Sequence, residues 1–252
     1  MKIDICVATK NSFYTLPRLL NSIKPQLVEL ESRVLIADGS STDNTLKFLR
    51  QFSFCKIISY SDKSPEEAIN KLIRFEPTNL KIIVGSDDWL SDNYISAFKE
   101  EAENLKSQGI NKFVLIPKFY KNIGRNFLKI NFPIPIILLN FIGIGRGIGW
   151  GIFQEDGDLP LLDENLQIAS DYDYLLSCLR NKFHFKYITC KYFHLKNGRS
   201  SKNWKTGLRE EKMIGLKYSN NNLSKIFINI LFLFKLSYKT LNSYICKTKL
   251  SL

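Results

Sequence analysis

The stretch "LKIIVGSDDWLSDNY", residues 80–94, runs from an apolar, β-branched segment straight into two adjacent carboxylates, Asp87 and Asp88. Two acids at the mouth of a buried strand repel each other and are costly to desolvate. A turn that leaves both in water offsets that cost, and so does a divalent cation. Upstream, "IDICVAT", "RVLIAD" and "CKIISY" read as three further short strands. The segments between them have helical character. "SFYTLPRLLNSI" places Leu16, Leu19, Leu20 and Ile23 at helical spacing, and "TLKFLRQF" follows the turn-forming loop "DGSSTDNT", where Asp43 or Ser41 can cap it. "SPEEAINKLIRF" carries Pro65 in its first turn, and Gly109 closes "NYISAFKEEAENLKSQG".

Strand alternating with helix through short connections predicts an α/β fold, with a mostly parallel central sheet flanked by helices. Such sheets bind ligands at the carboxyl ends of their strands. Those ends carry Thr9 and Asn11, then Asp38, then Asp62 and Lys63, then Asp87 and Asp88. Turn chemistry alone favours such residues in loops. Four polar ends in register are harder to assign to turns alone, because the sheet gathers them on one edge.

The second half changes character. "KFVLIPKFY" is another strand, and the apolar run "NFPIPIILLNFIGIGRGIGWGIF" sets Gly143, Gly145, Gly147, Gly149 and Gly151 at every second position. In a strand that spacing strips one face of side chains, so a ligand or another backbone can approach; a flexible loop explains it equally well. These glycines hold no dinucleotide fingerprint, and the chain has no Walker A loop. In "LLDENLQIASDYDYLLSCLRNKF", Leu175, Leu176 and Leu179 mark a helix starting near Ser170. Asp171 and Asp173 then fall in its first turn, where the helix dipole favours a carboxylate. Plain capping is the expectation for Asp173. His184 and His194 have no ligand cluster around them in the sequence and read as structural or surface residues.

The chain has 252 residues, 44% of them hydrophobic, enough for a sizeable core. Its net charge of +12 points to anionic partners. The basic residues are dispersed and form no recognition helix, which ranks a nucleic-acid module last. Five cysteines without a CxxC pair argue against a disulfide framework or structural zinc and fit a reducing cytosol. Asp4 interrupts what would be the apolar part of a signal peptide. A cytoplasmic protein is expected, at most peripheral to the inner face of the membrane. The last thirty residues place Ile226, Phe227, Ile230, Leu231 and Phe234 on one helical face among several lysines. This apolar run is too short to span a bilayer and reads as an interfacial helix on anionic lipid. Packing on the domain or in a homodimer accounts for the pattern equally well.

With these motifs in place, the chain resembles the family 2 glycosyltransferases of the GT-A, nucleotide-diphospho-sugar transferase fold, over about residues 2–205. "VLIADGSSTDNT" resembles the second-strand signature, "SYSDKSPEEAINKLI" the stretch ending in an Asn-Lys pair (Asn70 and Lys71), and "GSDDWL" the DxD-like metal motif. "ASDYDYLLSCLR" is similar to the segment carrying the general base, and "KNGRSS" to the turn after it. Three features depart from the pattern: Ser64 replaces a glycine, Ser170 replaces the acid before the base, and no histidine stands near Trp150 or Gly151.

The resemblance implies a catalytic domain over residues 1–220, with a nucleotide-binding half (1–109), an acceptor half (110–220) and a basic helical extension (221–252). It implies an inverting transferase moving a sugar from a nucleoside-diphosphate sugar to a glycan or lipid-linked acceptor, with Mg²⁺ or Mn²⁺ and no nucleic acid. By that likeness Asp88 is the metal ligand, Asp87 reaches the ribose or the metal's water shell, and Asp38 contacts the nucleobase. Thr9 and Asn11 line the base and ribose pocket, Lys63 contacts diphosphate or base, Asp171 is the general base, and Arg199 touches diphosphate or acceptor. A nucleotidyltransferase of similar fold normally has a glycine-rich basic loop after the first strand, and "ATKNSFYTLP" lacks it. A non-catalytic relative is the other alternative, because of Ser170.

Overall fold

The computed structural model describes residues 1–27, 31–59, 61–123, 126–129, 149–194 and 203–248. The apolar run 132–144, Gly143, Gly145, Gly147 and the "KNGRSS" turn with Arg199 lie outside these residues. The expected alternation is present: β1 (Ile3–Thr9), α1 (Leu16–Ile23), β2 (Ser32–Asp38), α2 (Thr45–Leu49), β3 (Cys55–Ser59), α3 (Pro65–Arg74), β4 (Leu80–Gly85). Then follow β5 (Trp89–Leu90), α4 (Tyr94–Ser107), β6 (Lys112–Ile123), β7 (Asn126–Lys129), β8 (Gly151–Gln154) and α5 (Ser170–Arg180). The chain continues through β9 (His184–His194), α6 (Trp204–Lys217) and α7 (Asn222–Thr248).

Among the described residues one nine-stranded sheet runs through both halves in the order β3-β2-β1-β4-β8-β6-β9-β5, with β7 paired to β6. Pairing is parallel from β3 to β4 and again between β6 and β9. Strands β8, β5 and β7 run antiparallel to their neighbours. Strands β1, β2 and β4 are buried on both faces over most of their length, so they read as largely apolar runs. Its register sets Thr9 beside Asp38 and Ala8 beside Gly85, which aligns the carboxyl ends.

Local chemistry explains the helix starts. Asp43 accepts from the Thr45 N–H at 2.9 Å, so the loop before α2 is closed by Asp43 and not by Ser41. Ser64 caps α3 through the Glu67 N–H, and Glu67 reaches back to the Lys63 N–H at 2.8 Å. Ser64 therefore has a capping role.

Asp4, the charge that interrupts β1, lies between Lys81 on β4 and Arg33 on β2. Its carboxylate meets Lys81 Nζ at 2.5 Å and Arg33 Nε at 2.7 Å, while Asn79 donates to it at 3.1 Å. Asp4 and Lys81 are both buried. Removing one partner of such a pair strands the other charge in the core. Asp4→Ala is therefore expected to cost about 3–5 kcal/mol, read as a lower urea midpoint at unchanged slope.

Candidate active site

The antiparallel pairing of β5 with β9 folds the turn after β4 against the end of β9. Asp88 is buried there, and its Oδ2 accepts from the Tyr192 hydroxyl at 2.7 Å and lies 3.2 Å from His194 Nδ1. The Gly85 N–H donates to the same Tyr192 hydroxyl at 2.8 Å, so a relay runs from strand to tyrosine to carboxylate. A Cβ on Gly85 would lie 2.6 Å from Asp88 Oδ2, which is why the turn needs glycine. Arg18 stacks on the Trp89 ring at 3.9 Å and donates to the Asp87 carbonyl at 2.5 Å, fixing the turn from the α1 side.

Burial, and then the charge of Asp88, hold the Asp87 carboxyl above its usual range. Among the described residues no three His, Cys, Asp or Glu side chains are arranged to hold a metal alone. A hard cation that keeps several waters and binds phosphate oxygens needs only one or two protein carboxylates. Asp88, with His194 in contact and Asp87 adjacent, provides an oxygen-rich set whose mutual repulsion a cation relieves. The residues present fit Mg²⁺ or Mn²⁺.

Asp171 opens the first turn of α5, where its Oδ1 accepts from the Tyr172 N–H at 2.8 Å. Burial, reinforced by the charge of Glu211, pushes its pKa up to about 7. A charged His194 acts the other way on both Asp171 and Asp87. His194 also stacks on Phe119 with ring centroids 5.5 Å apart. The histidine expected to be structural or at the surface is brought by β9 into contact with Asp88.

Three backbone N–H groups just before α5, from Gln167, Ile168 and Ala169, converge on the Glu210 carboxylate at 2.8–2.9 Å. Asp173 does not act as a cap; it pairs with Lys217 at 2.8 Å and ties α5 to α6. Ser170 donates to buried Glu66 on α3 at 3.1 Å. Asn70 holds the Leu162 backbone in both directions, and Lys71 pairs with Asp62 at 2.5 Å. The Asn-Lys pair therefore joins α3 to its surroundings.

At the nucleoside end, Thr9 is 5% exposed and its Oγ1 has no partner. An orphaned hydroxyl at the carboxyl end of β1 is what a ligand would satisfy. Asn11, at φ 52°, accepts from the Thr42 N–H at 2.8 Å and holds the loop after β2. Asp38 is closed off from solvent, with both oxygens engaged by Ser41. Lys63 is exposed on the loop before α3. The two described glycines of the alternating run make room for rings: a Cβ on Gly149 would meet Tyr192, and one on Gly151 would meet Phe98. The Gly149 φ of +126° adds a backbone reason for glycine there.

A parallel sheet extended by antiparallel strands, with an Asp-Asp turn at its carboxyl edge and a half-buried Asp171 in the first turn of α5, is the arrangement of a glycosyltransferase of GT-A fold. The model of "Glycosyl transferase family 2" matches residues 4–139, more than half of the chain, and the chain belongs to that family.

Among solved structures, residues 1–349 of S. aureus TarS are 20% identical at a TM-score of 0.63, covering 92% of this chain and 71% of that one. The same piece in complex with UDP-GlcNAc is 18% identical at a TM-score of 0.64, covering 90% and 70%. The chain spans 43% of the longer TarS structure. At these identities the likeness concerns the fold. No curated protein sequence matches the chain.

Proposed function

We propose that the protein transfers a sugar from a nucleoside-diphosphate sugar to a hydroxyl of a glycan or lipid-linked acceptor in surface polysaccharide synthesis, with inversion at the anomeric carbon. The observation that carries this reading is the Asp87–Asp88 turn, braced by Tyr192 and His194, together with a half-buried Asp171 in the first turn of α5.

In the proposed reaction Asp171 accepts the proton of the acceptor hydroxyl while that oxygen bonds to the anomeric carbon. The bond from that carbon to the β-phosphate oxygen breaks, and its electron pair leaves with the nucleoside diphosphate. A base with a pKa near the working pH suits this task. Asp88, with His194 in contact, would hold Mg²⁺ or Mn²⁺, which would supply Lewis-acid stabilisation of the leaving diphosphate. Asp87 takes the ribose or the cation's water shell. Thr9 and Asn11 line the nucleoside pocket, where the unpartnered Thr9 hydroxyl favours a ligand. Asp38 acts on the nucleobase through the Ser41 loop that it holds. Lys63 brings a mobile charge to the diphosphate or base.

The likeness to a fold solved with UDP and UDP-GlcNAc makes UDP the first nucleotide to test. The experiment is calorimetric titration with UDP, GDP and dTDP, with and without Mn²⁺. Binding of one nucleotide that tightens at least tenfold with Mn²⁺ is expected; binding of none, with or without metal, would sink the reading.

The Glu210 clamp gives a further expected result. Glu210→Ala leaves three N–H groups beside Asp171 without their acceptor, at a cost of about 1–3 kcal/mol each if they stay dry. The base is then misplaced, so kcat should fall about a hundredfold while donor affinity is kept. Steady-state kinetics alongside nucleotide titration separate the two effects.

A further inference from the structure

Helix α3 opens with two acids that face different ways. Glu67 closes the cap with Ser64 and Lys63 and pairs with Lys71, so the start of the helix accounts for it. Glu66 is turned inward and is only 4% exposed. A carboxylate taken out of water is costly unless hydrogen bonds receive it. One of them comes from 104 residues along the chain, where the Ser170 hydroxyl donates to Glu66 Oε1 at 3.1 Å. Ser170 is itself buried and is the first residue of α5, so the next side chain is Asp171.

The contact belongs to a longer seam. Asn70 lies one turn along α3 from Glu66, on the same face. It exchanges hydrogen bonds of 2.8 and 2.9 Å with the Leu162 backbone and donates to Glu164 at 2.9 Å. Glu66 and Asn70 thus hold the two ends of the segment that leads into α5, and Glu210 holds its middle through the N–H groups of Gln167, Ile168 and Ala169. The two carboxylates grip different things. Glu210 takes the backbone before the helix, and Glu66 takes the side chain beside the base. An apolar residue at position 66 would fill the space without the desolvation cost, but it would not direct the Ser170 hydroxyl. Buried polar contacts of this kind fix one arrangement among several that packing alone allows. Asp171 accepts from the N–H of Tyr172, its neighbour on the same turn, so its orientation follows that turn.

We infer that Glu66 is a positioning residue for the base: through Ser170 it holds the first turn of α5, so that Asp171 keeps one orientation toward the acceptor hydroxyl. The inference rests on the reading of Asp171 as the base. It makes α3 a support common to both substrates. The cap of α3 fixes Lys63 on the donor side, and its inward face fixes the turn that carries the base.

Three variants of the full chain test this: Glu66→Ala, Ser170→Ala, and the swapped pair Glu66→Ser with Ser170→Glu. Amide hydrogen exchange read by mass spectrometry follows the α5 turn without any turnover. Release of UDP from UDP-GlcNAc with Mn²⁺ gives kcat and KM, and titration with UDP reads the donor site. Both alanine variants should speed exchange over residues 170–175 by about tenfold or more, with β1 and β2 as protected as before. Their kcat should fall about tenfold to a hundredfold, at unchanged KM and UDP affinity. The swapped pair restores carboxylate and hydroxyl to contact from opposite sides, and should recover the protection and most of the turnover. Wild-type protection over 170–175 in a folded Ser170→Ala chain would overturn the inference, and so would an unchanged kcat in either alanine variant. A fall in kcat matched by an equal fall in UDP affinity would overturn it too, because that is general damage to the fold. Absence of UDP release by the wild-type chain would count against the donor reading alone, and hydrogen exchange would then decide the role of Glu66.

Discussion

Asp88→Asn is expected to lower kcat/KM by about a thousandfold or more and to abolish the gain in nucleotide affinity on adding Mn²⁺. The carboxylate is buried, fixed by Tyr192 and in contact with His194, so it is aimed before any ligand arrives. Asparagine keeps the shape and an oxygen that can accept from Tyr192, so the turn should survive. It lacks the charge that would hold a cation against the diphosphate in the proposed reaction, and Lewis-acid stabilisation of a leaving group amounts to several kcal/mol. Initial rates across a Mn²⁺ titration, with a melting curve as control, check the result. An unchanged metal dependence in a folded variant would remove Asp88 from the metal site.

Asp171→Asn should show the other large effect, a loss of about 10²–10⁴-fold in kcat with donor affinity retained. In the wild type, kcat/KM should rise with pH through about 7, because the acid must lose its proton before it can accept another. Stability runs in the opposite direction. A pKa raised above the unfolded value means that the folded chain binds this proton more tightly. The stabilising contribution is therefore full below about pH 4 and is lost as pH rises through about 7. Asparagine cannot ionise, so the variant should gain stability over the wild type progressively from about pH 4 to about pH 7 and hold that gain above it. Melting temperatures at pH 5 and pH 8 test the sign: a variant no more stable than wild type at pH 8 would mean that Asp171 is not held in the desolvated setting described.

Most of the sheet's first half was legible because its signals are local. Four apolar strands, the helix faces and the polar residues at the strand ends all follow from residue spacing, and the register of β1 with β2 and β4 then aligns Thr9, Asp38 and Gly85. Asp87 and Asp88 stood out at a strand end for the same reason, while Asp171 was given a role by the family resemblance alone. Tyr192 and His194 were not, because they reach Asp88 through contacts 104 and 106 residues apart in sequence. The pairing that brings them there involves β5, only two residues long and too short to show a period. Asp173 looked like a cap because it occupies a first turn; its partner, Lys217, stands 44 residues away. The alternating glycines announced a close approach but could not name the aromatic rings that approach Gly149 and Gly151.

The tyrosine relay also limits how such a chain can be rearranged. Gly85 and Asp88 belong to the first half of the sequence, and Tyr192 and His194 to the second, yet one hydroxyl serves both. A fragment ending after α4 would keep the acidic turn but lose the groups that aim it. Donor-side cassettes grafted from a distant relative would meet the same problem, however well each segment folded. Change on one side of this enzyme has to be matched by compensating change at the end of β9, so its two halves are constrained to evolve together.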